Sequence, residues 1–385
     1  MPEKLWNREY ILFLIVNAVG FLGFQILIPL VPVYGLRFTS SESVIGFLAA
    51  SIALAAMFMR PVAGYLANRY NCNRMILIMQ FGTMVIVLMC IFAPNIGTLI
   101  MLRLAQGLVF GLGATAIATA AIRTMPEQQI GRGIGILSVA GIGSQAVAPI
   151  IGLWLVDNWG YPALFIFTSA TALAAGIIAW STKLGSHSPA GGETKAPKFS
   201  LKELFAVEAA GFVVLMIIIT MTVALPLNFI VVHAQAINIP NIGVFFTIYA
   251  GVLVEVRFFL GGLADKYSYK TIIPPCAALC AVALAIIGGA SSFPPLCVAA
   301  GLLGLGFGIA GPAIQLSMIR IVSIERRGTA NASYFLGMDF AYVVGPVVMG
   351  FIAETTNFNT GFYFFVLPTL AAIPLTFIFS RKRAV

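Results

Sequence analysis

One segment of this chain occurs twice, and the two copies lie 197 residues apart. The first reads Arg60-Pro-Val-Ala-Gly-Tyr-Leu-Ala-Asn-Arg-Tyr70, and the second reads Arg257-Phe-Phe-Leu-Gly-Gly-Leu-Ala-Asp-Lys-Tyr267. Each copy follows an apolar segment and ends in a charged turn. The repeat therefore predicts two related halves, an arrangement that lets membrane proteins build a central site opening to one side and then the other.

The composition indicates that lipid is the main solvent of this chain. Hydrophobic residues make up 60% of it and charged residues only 9%, whereas an ordinary soluble domain carries about 25% charged residues. The net charge of +9 would suit a nucleic-acid partner, but the basic residues form no stripe and lie in short loops between apolar runs. A membrane topology explains that distribution better, and no nucleic acid is expected.

Apolar runs long enough to cross a bilayer, about 20 residues each, predict an all-α membrane protein with twelve transmembrane helices in two six-helix bundles related by a pseudo-two-fold axis. The first bundle is expected over 1–182 and the second over 205–385, with a polar cytoplasmic linker over 183–204. The first apolar run is too long for a signal-peptide core and has no small-residue cleavage site, so it is interpreted as a span. The predicted spans are 10–34, 44–67, 75–94, 97–121, 133–156, 161–182, 205–232, 243–264, 271–290, 296–319, 328–353 and 360–380.

The loop charges predict the orientation of these spans. Lys and Arg gather in the loops on the side of the two termini, whereas the opposite loops hold Arg37, Glu42, Asp157 and Glu354. Cytoplasmic loops carry the excess of basic residues in membrane proteins. We therefore expect a multi-pass protein of a bacterial cytoplasmic membrane with both termini in the cytoplasm.

The repeat extends beyond its first motif, which makes chance composition a poor explanation. Matches at the same offset pair Gly107 with Gly304, Gly111 with Gly308, Arg123 with Arg320, and Pro149 with Pro346. Because six spans separate equivalent helices, the two halves are predicted to have parallel topology.

Three motifs together resemble those of the major facilitator superfamily, over essentially the whole chain. The segment from Gly64 to Arg74 resembles the family signature in the loop between spans 2 and 3, and Gly261-Gly-Leu-Ala-Asp-Lys266 resembles its copy between spans 8 and 9. Arg103-Leu-Ala-Gln-Gly107 is similar to the fourth-span motif. The resemblance implies that the loops latch the cytoplasmic face and that the fourth-span arginine is linked to proton coupling. The implied gate residues are Arg60, Gly64, Asn68, Arg69, Arg74, Arg257, Gly261, Asp265 and Lys266.

The two gate motifs differ in one charge. The family's acidic residue is Asn68 in the first copy, whereas Asp265 keeps it in the second. Asparagine can cap a helix but cannot carry the charge, so the first latch is expected to be weaker. Gly64 and Gly261 are expected to let neighbouring helices approach closely. The alternative, that these loops only supply topogenic charge, explains the basic residues but not their repeated order.

A fifth-span motif of the family's exporter branch is partly kept. Gly135, Ser144, Ala148-Pro149 and Gly152 stand at its small-residue and proline positions, although three of its glycines are replaced. A helix bend with tight helix contact is expected there. The predicted bend residues are Ala148, Pro149, Gly152, Gly345 and Pro346.

Charged residues inside spans are costly in hydrocarbon and are the first candidates for function. Asp339 lies near the middle of span 11, with Tyr342 one turn later. A carboxyl group in an apolar environment can exchange a proton near neutral pH, so Asp339 is a candidate proton carrier or partner of a cationic substrate. The alternative is a structural carboxylate bonded to a neighbouring helix. Arg103 is a candidate for binding an acidic substrate or modulating a nearby carboxyl group, with helix tethering as its alternative. Glu208 is a further candidate proton carrier, with snorkelling or capping as its alternative, and Glu255 is a candidate with gate pairing as its alternative.

Uncharged polar residues within spans are candidates for lining a cavity. By analogy with the family, spans 1, 4, 7 and 10 surround the pathway. Each such residue alone is more often an interhelical hydrogen bond than a ligand contact. The candidates are Asn17, Gln25, Gln145, Asn228, Tyr249 and Gln315.

Enzymatic and metal chemistry are not expected. The five cysteines and two histidines show no metal-ligand or disulfide spacing, and the chain has no phosphate-binding Gly-x4-Gly-Lys-[Ser/Thr] loop. We expect a monomeric transporter with no cofactor that uses a proton gradient, contacts membrane lipids, and exports drugs or amphiphilic metabolites by alternating access. Import of a polar or anionic metabolite, by symport or uniport, and a non-transporting receptor or scaffold remain the alternatives.

Overall fold

The computed structural model describes residues 5–126, 129–183, 207–260, 263–323 and 326–381, and the regular structure in these ranges is entirely helical. The first half contains α1 (Arg8–Gly35), α2 (Glu42–Arg69), α3 (Cys72–Met89), α4 (Ile96–Arg123) and α5 (Ile130–Ser181). The second contains α6 (Ala210–Ala236), α7 (Gly243–Phe259), the short α8 (Leu263–Lys266), α9 (Tyr269–Gly289), α10 (Phe293–Ile321), α11 (Arg327–Thr355) and α12 (Phe358–Arg381).

Side-chain caps explain why several helices begin where they do. The carboxamide oxygens of Asn7, Asn71 and Asn95 accept hydrogen bonds from backbone N–H groups in the first turns of α1, α3 and α4, and the Ser268 hydroxyl does so for α9. These caps satisfy donors that have no partner within the helix. The starts of these four helices are therefore determined by residues next to them in the sequence.

Within the described residues, ten helices are long and apolar enough to cross a membrane. The number is lower than the twelve predicted spans for two visible reasons. Predicted spans 5 and 6 both fall in α5, which is broken at Gly160, where φ is +76°; only glycine adopts that backbone region readily. Predicted span 8 corresponds to α7, which has 17 residues and is shorter than the ten. The protein is a multi-pass integral membrane protein, and the count of twelve stays a prediction.

The chain divides into two compact units. One comprises Met1–Phe38 with Ser51–Phe199, and the other comprises Thr39–Ala50 with Ser200–Val385. The first turns of α2 therefore pack within the second unit. The predicted linker over 183–204 lies, apart from Lys183, outside the described residues, and the predicted domain boundaries stay predictions.

Each unit contains the same glycine contact. In the first, a Cβ atom on Gly107 of α4 would lie 2.3 Å from the carbonyl oxygen of Ile52 in α2. In the second, a Cβ on Gly304 of α10 would lie 2.7 Å from the carbonyl oxygen of Tyr249 in α7. Both distances are shorter than real Cβ atoms show. Both residues of the second pair lie 197 positions after those of the first, so the sequence repeat corresponds to a repeated helix contact.

One turn further on, the same pair of helices makes a second equivalent contact in each unit. A Cβ on Gly111 would lie 3.1 Å from Cβ of Met59, and one on Gly308 would lie 3.3 Å from Cβ of Val256. Small residues at helix interfaces let backbones approach and gain van der Waals contact in lipid. The glycines at 304 and 308 thus form a packing surface for α7.

Candidate functional site

Asp339, a residue of the second unit, is buried. Asp339 is 8% exposed and stands in the membrane-crossing part of α11. It interacts electrostatically with Tyr342, one turn later on the same helix. Tyr342 interacts in turn with the fully buried Tyr249 of α7. Tyr342 thus interacts with both Asp339 and Tyr249, two residues that were predicted separately. We call Asp339, Tyr342 and Tyr249 the carboxylate cluster.

A cation interacts with one member of the carboxylate cluster. Arg257, in the last turn of α7, is half-buried and interacts electrostatically with Tyr249 and with Tyr334 of α11. From the sequence, Arg257 is predicted only as a residue of the cytoplasmic gate, and Tyr334 is not predicted as a site residue. The signal for Tyr334 was weak, because tyrosines are common in membrane helices and this one is not one helical turn from Asp339.

The first unit holds a buried arginine instead of a carboxylate. Arg103 of α4 is 3% exposed, and its Nη1 donates a 2.7 Å hydrogen bond to Oε1 of Gln106, which is fully buried. The two residues are three apart, so they lie on one face of the helix. Gln106 was not a predicted site residue, although its place in the Arg-Leu-Ala-Gln-Gly motif was a usable signal.

The uncharged cavity candidates have different surroundings. Nδ2 of Asn17 donates to the carbonyl of Leu137 in α5 at 3.3 Å, and Nε2 of Gln315 donates to Asn331 in α11 at 2.7 Å. Nδ2 of Asn228 bonds within its own helix, to the carbonyl of Ala224 at 2.7 Å. Asn17 and Gln315 thus link helices, the more common role for such residues. Gln25 and Gln145 are partly exposed.

The two remaining acidic candidates lie at the surface of the second unit. Glu208, at the start of α6, forms an ion pair with Arg326 in which both side chains are substantially exposed. Glu255 on α7 is also exposed. Exposed ion pairs contribute little to stability. The structure favours the surface interpretation of Glu208 over proton transfer.

Gly64 makes none of the predicted close contact with the described residues. A Cβ on Gly64 would meet no described atom within 4 Å. The carboxyl end of α2 is held instead by Arg123 of α4, whose Nη2 donates to the carbonyl of Ala67 at 3.1 Å. Arg60 is half-buried, and Arg74 and Lys266 are exposed. Gly261 and the side chains of Asn68, Arg69 and Asp265 lie outside the described residues.

The small residues of the bend motif make different helix contacts in α5 and in α11. A Cβ on Gly152 would lie 2.5 Å from the side chain of Leu30, so the predicted tight contact between α5 and α1 is present. A Cβ on Gly345 would lie 3.6 Å from the nearest atom, which is ordinary contact. Pro149 and Pro346 lie inside α5 and α11, and Ala148 is buried.

The first turns of α2 are fastened to the end of α11 within the second unit. Oε2 of Glu354 accepts hydrogen bonds from the Ser41 hydroxyl at 3.0 Å and from the Ser43 backbone N–H at 2.9 Å. A Cβ on Gly350 would lie 2.9 Å from Cα of Gly46. A carboxylate at a helix amino terminus satisfies free donors and the helix dipole. The sequence predicts Glu354 only as a charge in a loop.

We expect Gly350→Val to separate these two helices. Its side chain would overlap the carbonyl of Glu42, since even a Cβ there would lie 2.5 Å away. Overpacking of this kind costs about 1–3 kcal/mol, which corresponds to about a 5- to 150-fold change in the population of the separated state. A maleimide should therefore label the Ser43→Cys variant faster when Gly350→Val is also present than when it is not. Peptide mass spectrometry measures the labelling rate at position 43. Gly251→Val is the control, because no described atom lies within 4 Å of that position; equal labelling in both backgrounds contradicts the prediction.

Comparison with known proteins places this arrangement in a family. The chain matches the profile of the Major Facilitator Superfamily over residues 13–231 and 209–384. It is 24% identical over 372 residues to the multidrug resistance protein MdtG of Proteus mirabilis, covering 93% of this chain and 91% of that protein. It is 22% identical over 387 residues to the multi-drug resistance efflux pump PmrA of Streptococcus pneumoniae, covering 94% of each.

Solved structures agree on the fold. The nucleoside transporter NupG superposes with a TM-score of 0.77 at 14% identity, covering 98% of this chain and 100% of that one. A bacterial homologue of the human lysosomal transporter Spinster superposes with a TM-score of 0.78 at 15% identity, covering 99% of this chain and 98% of that one. These proteins are named as transporters and not as enzymes. The chain belongs to the Major Facilitator Superfamily and is a membrane transporter of that family.

Proposed function

We propose that this protein is a secondary transporter that exports a small organic molecule, a drug or an amphiphilic metabolite, in exchange for protons by alternating access. The observation that carries the proposal is the buried carboxyl group of Asp339 inside a membrane-crossing helix. Charge at that depth is costly and is kept where it serves transport. A group that is neutral when protonated and charged when not is suited to proton coupling.

Tyr342 and Tyr249 support this role for Asp339. The hydroxyl of Tyr342, which interacts with Asp339, could donate a hydrogen bond to the carboxylate and accept one from the protonated acid. Both charge states of Asp339 could therefore be accommodated. A proton on Asp339 would remove a negative charge from the unit interior, and its release would restore that charge. Binding of a substrate that favours one charge state would thereby be linked to proton binding.

The direction of transport and the substrate class are proposed from the relatives. MdtG and PmrA are named as multidrug resistance and efflux proteins, which favours export of chemically varied molecules. Import of a polar metabolite remains the alternative, because NupG, whose fold is similar, is a transporter of nucleosides, which are polar molecules. We further propose that the protein works as a monomer in a bacterial cytoplasmic membrane with both termini inside, uses the proton gradient without a cofactor, and contacts lipid along its apolar surface.

Transport into inside-out membrane vesicles tests the proposal. With an acidic vesicle interior, an exporter that exchanges protons should accumulate amphiphilic fluorescent dyes, and a protonophore should release them. Accumulation that does not respond to the pH gradient would contradict proton coupling. Uptake seen only in right-side-out vesicles with an acidic exterior would favour the importer, and no movement across a broad panel of compounds would favour a receptor.

A further inference from the structure

Arg103 and Gln106 form a buried polar pair in the first unit that the carboxylate cluster does not use. The guanidinium of Arg103 is 3% exposed, and Gln106 is fully buried. One hydrogen bond of 2.7 Å, from Nη1 to Oε1, joins them. This bond fixes the amide orientation of Gln106, because the flipped amide would place a donor against a donor.

Two hydrogen-bond donors of this pair have no acceptor among the described residues. Neither Nε of Arg103 nor Nε2 of Gln106 has an acceptor among the described residues. Nε of Arg103 is two covalent bonds from Nη1, and Nε2 of Gln106 is two covalent bonds from Oε1. Both donors therefore lie close to the hydrogen bond between Nη1 and Oε1. Buried donors are nearly always paired, and leaving one unpaired costs about 1–3 kcal/mol. The pair therefore calls for an acceptor that can take hydrogen bonds from both side chains.

The charge of Arg103 also lacks a described counter-ion. The acidic residues described in the first unit are Glu9, in the first turn of α1, and Asp157, exposed on α5. The group with which Arg103 interacts electrostatically is the thiol of Cys90. A buried cation without a negative partner is strongly unfavourable, so the acceptor that suits this pair is an anion.

The repeat shows that this pair is not needed for packing. The positions equivalent to Arg103 and Gln106 in the second unit are Ala300 and Leu303, both of which are buried. They precede Gly304 by four residues and by one, and the contact of Gly304 with α7 matches that of Gly107 with α2. The second unit thus makes the same glycine contact with apolar residues at these two positions. The polar pair in the first unit is explained better by a ligand than by the fold.

We propose that Arg103 and Gln106 bind the anionic group of the transported molecule, a carboxylate or an anion of similar size. The carboxylate oxygens would accept hydrogen bonds from Nε of Arg103 and Nε2 of Gln106. The inference rests on the proposed transport function only in treating the bound anion as cargo. An inorganic anion such as chloride shares the chemistry that the site recognises, and the test separates the two.

Binding of benzoate to the purified protein tests this site without any transport measurement. Thermal stability and calorimetric titration are followed in sodium HEPES without added chloride, with sodium benzoate, uncharged benzamide and sodium chloride as separate ligands. We expect benzoate to stabilise the protein and benzamide to have no effect. Stabilisation by benzamide equal to that by benzoate would overturn the recognition of charge. Chloride binding that matches and displaces benzoate would overturn the assignment to cargo.

Variants then locate the binding. The double substitution Arg103→Ala with Gln106→Leu copies the apolar pair of the second unit, and Gln106→Leu alone keeps the charge. Loss of charge-assisted hydrogen bonds should weaken benzoate binding by about 10- to 100-fold in the double variant, and less in the single one. Arg8→Gln, which removes an exposed arginine in the first turn of α1, is the matched control. Unchanged affinity in the double variant would overturn the proposal, whereas dye export by a protein that does not bind benzoate would leave the transport function standing.

Discussion

Asp339→Asn is expected to abolish transport driven by a pH gradient while leaving the protein folded and able to move its substrate down a concentration gradient. Asparagine has nearly the size of the acid but takes up no proton in this pH range. The variant should therefore be held in one charge state, so that a pH gradient has no group on which to act. The rate of its remaining downhill transport should no longer vary with pH.

The measurement compares dye accumulation in vesicles with and without an imposed gradient, over a range of pH. Asp157→Asn is the matched control, because it removes an exposed carboxylate at the surface of the first unit and should leave the rate and its pH dependence intact. Equal rates and equal pH profiles for the parent and Asp339→Asn would show that Asp339 is not the proton carrier.

Gly304→Ala is expected to destabilise the second unit strongly for so small a change. The added methyl group would lie 2.7 Å from the carbonyl oxygen of Tyr249 and 3.0 Å from Cβ of Val252, so α7 and α10 would have to move apart. Overpacking costs about 1–3 kcal/mol. The shift would also displace Tyr249, so loss of transport should accompany the loss of thermal stability.

Gly301→Ala on the same helix supplies the comparison, since no described atom lies within 4 Å of a Cβ there. Alanine favours helix over glycine, so this variant should be as stable as the parent or more stable. Gly107→Ala should repeat the Gly304 result in the first unit, where the contact is closer. If melting temperatures for Gly304→Ala and Gly301→Ala shift alike, the close helix contact is not a determinant of stability.

The sequence predicted best the features that repeat or that follow from polarity. Apolar runs locate the helices, because lipid leaves a spanning segment no other way to satisfy its backbone. The 197-residue offset pointed to Gly107 and Gly304, and the structure shows that each permits the same helix contact. Asp339 was found because a carboxylate stands out in an apolar span, and its burial agrees with that choice.

Contacts between segments distant in sequence were harder to predict. Glu354 caps α2 from 311 positions away, and no local pattern relates it to Ser43. Gly64 belongs to a recognisable motif, yet its surroundings are open among the described residues, because a motif records a sequence and not the packing of one conformation. Gln106 was overlooked since a glutamine in a span is usually a helix tether, and only its burial beside Arg103 showed its donors.

Substrate-driven proton movement in proteoliposomes tests the central claim most directly. The purified protein is reconstituted with a pH-sensitive dye inside the vesicles and with no initial pH gradient, and an exported dye molecule is then added outside. Exchange predicts that substrate entering the vesicles drives protons out, so the interior should become more alkaline in the parent and not in Asp339→Asn. Substrate entry without any change of internal pH in the parent would contradict proton exchange.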